Sequence, residues 1–192
     1  MDKATFEQGV GVSVYNKISK TSRHYIGKKD DFIPKGRFQI EHYDKDGNLK
    51  GKYDISNAIV NAGKNKILDV MFNDSAQIAN NSWFIGLLDA SGFTALNDTD
   101  TMSSHSGWNE FTTYSQGTRV AWGSGTAASQ STTNSTPATF DVTGSATVKG
   151  IFVVSNSTKG GTTGTLWATG LFTADVPVSN GDQLKITYTV SC

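Results

Sequence analysis

Between Trp83 and Val190 the chain is a succession of short runs rich in β-branched and aromatic residues, each closed by a cluster of Gly, Asn, Asp or Ser. The runs fall at 83–88, 110–114, 118–122, 138–142, 146–154, 165–172 and 183–190. Gly144, Gly160-Gly161 and Asn180-Gly181-Asp182 separate them, and such short connections join antiparallel strands. The last run alternates Leu184, Ile186, Tyr188 and Val190 with Lys185, Thr187 and Thr189, so one of its faces should meet a core. With seven or more strands at hairpin spacing and no alternating helices, a parallel α/β fold is excluded.

Before these runs, Phe38 to Tyr43 alternates and Leu49 to Ile55 returns, with Asp46-Gly47 between them as a hairpin signal. Val60, Ile67, Leu68, Met71 and Phe72 recur at spacings that place them on one face of a helix over about 62–73. The expected architecture is therefore mainly β: an antiparallel β-sandwich or jelly-roll-like domain over 36–192 with one α-helix near its start. Gly123 to Thr136, composed almost wholly of small and polar residues, reads as an exposed loop.

Residues 1–35 read differently, as an extended N-terminal arm. Val10, Val12 and Val14 alternate with Gly11 and Ser13, and Lys17, Lys20, Arg23, Lys28 and Lys29 follow with little opposing charge. The whole chain of 192 residues is neutral, with 17 basic and 17 acidic side chains. That neutrality is a sum of unlike parts: residues 1–37 hold 8 basic and 4 acidic residues, whereas 71–192 hold 4 and 8. An alternating arm could add a strand to a neighbour, and its basic continuation could hold an acidic one, so these eight residues are the candidate partner-binding set. A pI near 6.8 without a dense basic cluster argues against a dedicated nucleic-acid binder. No apolar run reaches the roughly 18 residues of a membrane helix.

Motifs for catalysis or metal binding are weak. Asp44-Lys45-Asp46-Gly47-Asn48 opens like a calcium loop, but Leu49 stands where the turn needs Gly and Ile55 where a bidentate Glu should close the shell. A hairpin turn is the better reading. Asp89, Asp98, Asp100 and Glu110 could offer carboxylates to a divalent ion, although acidic loop residues more often cap turns. His105 follows Ser103 and Ser104, yet neighbours in an extended chain point apart and no nucleophile elbow is present. No catalytic residue, metal or cofactor is expected. Of the four tryptophans, Trp83 and Trp167 have apolar neighbours and read as core, while Trp108 and Trp122 lie near loops and are candidates for stacking on a sugar ring.

Several strings carry a resemblance to a family of small virion proteins of tailed bacteriophages. They are Asn57-Ala-Ile-Val-Asn-Ala-Gly63 leading into Lys66-Ile-Leu-Asp-Val-Met-Phe72, then Trp83-Phe-Ile-Gly-Leu87, then Asp100-Thr-Met-Ser-Ser-His-Ser-Gly-Trp-Asn-Glu110, then Thr118-Arg-Val-Ala-Trp122, and Ser155-Asn-Ser-Thr-Lys-Gly-Gly-Thr-Thr-Gly-Thr-Leu-Trp167. The likeness spans about 36–191. It implies a structural role, commonly as a capsid decoration (cement) protein or fibre base on the outside of the head, made in the bacterial host cytoplasm. The implied partners are the major capsid protein and further copies of the chain, a trimer being favoured. A tail or baseplate component and a carbohydrate-binding adhesin are the alternatives. The resemblance carries no catalytic residue.

Overall fold

The computed structural model describes residues 34–192, and the candidate arm residues Val10, Val12, Val14, Lys17, Lys20, Arg23, Lys28 and Lys29 lie outside them. Strand β1 (Lys35–Tyr43) buries Phe38, Ile40 and His42 and turns the residues between them to the surface, as the alternation requires. It returns through the expected hairpin into β2 (Leu49–Ile59). The carboxylate of Asp44 closes this turn itself. Its Oδ1 accepts from the N–H groups of Asp46 at 2.9 Å and Asn48 at 2.8 Å, and its Oδ2 accepts from the Asn48 side-chain amide at 3.0 Å. Those bonds, the Asn48 side chain first, hold the Asp44 carboxyl below its ordinary pKa. Gly47 takes the left-handed φ of 82° that such a turn demands.

The remaining elements are helix α1 (Asn61–Phe72), then strands β3 (Phe84–Asp89), β4 (Glu110–Phe111), β5 (Val120–Ala121), β6 (Ser131–Thr133), β7 (Ala138–Asp141), β8 (Ala146–Val154), β9 (Leu166–Val178) and β10 (Gln183–Ser191). The fold is mainly β and antiparallel with one α-helix, and its ten strands form one curled sheet. Their order is β4-β3-β8-β9-β2-β1-β10-β6, with β5 also on β3 and β7 also on β10. β2 joins the two halves: its first part pairs with β1, and Ala58 and Ile59 pair with Thr169 and Ala168 of β9.

Curling brings side chains from both halves into one core. Phe38, Ile40, Leu184, Ile186 and Tyr188 come from one half, and Ile85, Leu87, Ile151, Val153 and Phe172 from the other. Each such side chain contributes roughly 1.5–3 kcal/mol on burial. The opposite face of β3 and β8 is also covered. There Leu88, Phe152 and Val154 pack with Val60, Met102, Trp108 and Leu166 beneath the segment 90–109, which explains the unbroken apolar run Ile151 to Val154. β8 and β9 approach closely at Gly150, where a Cβ would lie 2.2 Å from the Gly170 carbonyl oxygen, so only glycine fits.

Two expectations need correction. The segment 123–136 is not simply a loop, because β6 extends the sheet along the end of β10. Between the parts of β10 paired with β6 and with β7, the buried side chain of Asn134 takes the place of a strand. Its Nδ2 donates to the Ile186 carbonyl at 3.0 Å, and its Oδ1 accepts from the Tyr188 N–H at 2.8 Å. The helix forms where expected, but most of its apolar face does not meet the core. Val60 is buried at its start, whereas Leu68, Met71 and Phe72 point outward.

Candidate interaction surface

The half of the chain with few charges uses every base it has. Arg119 is fully buried, with Nε and Nη2 on Glu110 at 3.0 and 2.7 Å, Nη1 on the Asn156 carbonyl at 3.0 Å, and Nη2 on the Gly161 carbonyl at 2.7 Å. Its guanidinium also lies over the Phe152 ring at 5.2 Å. Glu110 receives the Gly160 N–H at 2.8 Å, so the two side chains clasp the loop 155–164 to β4. Lys159 reaches from that loop to the carbonyls of Tyr114 and Gln116 at 2.9 and 2.6 Å. Lys149 pairs with Asp175, and Lys185 lies over the Tyr43 ring. These contacts assign the Ser-Thr-Lys-Gly-Gly string a packing role.

A similar account holds for 97–110. Asp100 is buried and accepts from the Trp108 indole N–H at 2.9 Å and the Asn97 N–H at 3.0 Å. His105 stacks on Trp108 with ring centroids 3.7 Å apart and donates through Nδ1 to its carbonyl at 3.1 Å. Asp98 contributes its carbonyl to the Asn61 N–H at 2.8 Å, which caps the first turn of α1. Among the described residues, no three His, Cys, Asp or Glu side chains gather into a metal-binding group. Also among them, no helix is long and apolar enough to cross a membrane.

The tryptophans are sorted the opposite way to the expectation. Trp108 and Trp122 are only 2% and 7% exposed, so neither offers a ring face to a sugar. The segment 90–109 folds over the first. The second is drawn inward by its indole N–H, which donates to the Tyr188 carbonyl at 2.8 Å. Trp83 and Trp167 are instead the half-buried pair, edge to face with centroids 6.1 Å apart.

These two rings line two adjoining hollows. One, of about 220 Å³, is completed by Ile67, Val70, Met71 and Ile78; the other, of about 210 Å³, by Trp122, Thr132 and Val190. The Trp167 indole N–H is committed to the Tyr188 hydroxyl at 2.9 Å, so the second hollow is almost wholly apolar, while Lys66 and Gln77 add polar groups to the first. Burial raises the pKa of that hydroxyl well above its ordinary value.

Helix α1 lies beside the hollows because its first turn is pinned. The Val60 N–H donates to the Trp167 carbonyl at 3.1 Å, and a Cβ on Gly63 would stand 2.5 Å from that same oxygen. The far half of the helix carries Leu68, Met71 and Phe72, which are 55, 67 and 82% exposed. Their spacing of three and four residues makes a stripe on the solvent side. Lys64 begins the stripe and Asp74, at a left-handed φ of 51°, follows its end; both are exposed and neither has an ion-pair partner among the described residues. Contiguous exposed apolar surface of this kind makes the stripe a candidate interaction site.

Comparison with protein-family models finds no match for the chain, and comparison with curated proteins finds none either.

Proposed function

We propose that the chain is a non-enzymatic structural protein of a tailed-bacteriophage virion, a decoration protein on the outer surface of the head. In this reading residues 1–35 bind the major capsid protein, with Val10, Val12 and Val14 as an added strand and Lys17, Lys20, Arg23, Lys28 and Lys29 as its electrostatic hold. The protein is made in the host cytoplasm and associates with copies of itself on the capsid. The strings that carry the resemblance support a structural role, because they are spent on internal packing: Trp108 on Asp100, Arg119 on Glu110, Lys159 on two carbonyls. A scaffold of this kind acts through its surface, and the internal use of these strings is the observation that carries the reading. Stacking of sugar on Trp108 or Trp122 is no part of it, since both are buried.

The test is immunogold labelling of purified phage. Gold on the head supports the reading, gold on the tail moves the protein to the tail or baseplate, and particles free of gold refute it. A companion assay mixes capsids lacking the protein with the full chain or with a variant carrying Glu at Lys17, Lys20, Arg23, Lys28 and Lys29. The variant should lose binding, and wild-type affinity would refute the role given to the arm.

A further inference from the structure

From the solvent face of α1 we infer that two copies of the chain pair through this helix, antiparallel and about a two-fold axis that crosses this face between Leu68 and Met71. Leu68, Met71 and Phe72 occupy the half of the stripe next to that axis, where each copy covers the apolar residues of the other. The charges fix the direction. Lys64 opens the stripe and Asp74 lies just past its other end, so an antiparallel partner sets each lysine beside the other copy's Asp74. Packing the same faces in parallel about a three-fold axis would set lysine beside lysine and aspartate beside aspartate, which opposes association.

One other observation agrees with a helical partner. The first turn is anchored to β9 and cannot swing inward to bury the stripe, because Gly63 already touches the Trp167 backbone. A self-complementary patch on both partners is what a two-fold contact requires. The contact is independent of the virion reading and differs from the trimer expected from the resemblance.

Sedimentation equilibrium of the full chain over a range of concentrations provides the test. A monomer–dimer equilibrium is expected, and a trimer or a monomer at every concentration would overturn the pairing. Phe72→Asp should raise the dimer Kd by at least about tenfold, as loss of a buried aromatic anchor does. Lys64→Glu should weaken the dimer, and Lys64→Glu combined with Asp74→Lys should restore part of the loss. A dimer indifferent to all three variants, with unchanged melting, would place the contact elsewhere and refute the inference.

Discussion

The loop clasp around Arg119 and the outer face of α1 use opposite rules. At the clasp a charged side chain is withdrawn from water and given a bidentate partner, two carbonyls and an aromatic ring. On α1 three large apolar side chains are left in water while the first turn is locked in place. The difference teaches where to look for function. Internal demands account fully for the clasp, whereas nothing among the described residues accounts for the helix stripe.

Breaking the clasp should have the largest effect. Arg119→Ala leaves Glu110 buried without its partner and should cost about 3–5 kcal/mol of stability, read from denaturant melts. Arg119→Lys should recover only part of this, since an ammonium cannot make the paired bonds to the carboxylate. Next comes Asn134→Ala, which leaves a carbonyl and an N–H of β10 without partners. It should cost about 1–3 kcal/mol by the same measurement.

The third prediction concerns acid. Asp182 is buried beside His42 Nε2 at 2.8 Å, Lys50 Nζ at 2.6 Å and the Ser179 N–H at 2.9 Å. Burial works to raise its pKa, but the hydrogen bonds from Lys50, His42 and Ser179 outweigh it, and the carboxyl stays below its ordinary value. Its contribution is therefore present above the unfolded pKa near 4 and is lost as pH falls through the lower folded pKa. Asp182→Asn should flatten the fall of stability across that acid range, and an unchanged pH profile would contradict the assignment. The smallest effect belongs to the other side of the comparison. Phe72→Ser should leave the stability of the dilute monomer within about 0.5 kcal/mol, as exposed positions do.

Much of the β architecture is legible in the sequence, because alternation reports directly on which side of a strand meets a core. Phe38, Ile40, Leu184, Ile186 and Tyr188 are buried where the pattern places them. The Asp44 turn was equally readable, since Asp46-Gly47 between two alternating runs signals the hairpin that forms. The tryptophans were not. Their burial depends on which distant segment lies over them, and neighbouring residues do not encode that: 90–109 covers Trp108, while nothing from the described chain covers Trp83 and Trp167 completely. Asn134 was hidden in a stretch of low complexity because its partners on β10 are 52 and 54 residues away. Arg119 did leave a signal. It is the single arginine among the 4 basic residues of 71–192, and a lone guanidinium in so apolar a setting calls for a buried acid. The helix pattern located α1 correctly but could not tell a face turned to the core from one turned to solvent.

Hydrogen–deuterium exchange of the full chain at low and high protein concentration tests this contrast most directly, because association protects only what it covers. The account predicts that protection of 61–73 rises with concentration while that of 155–164 stays constant. Protection of the helix that is independent of concentration would contradict it.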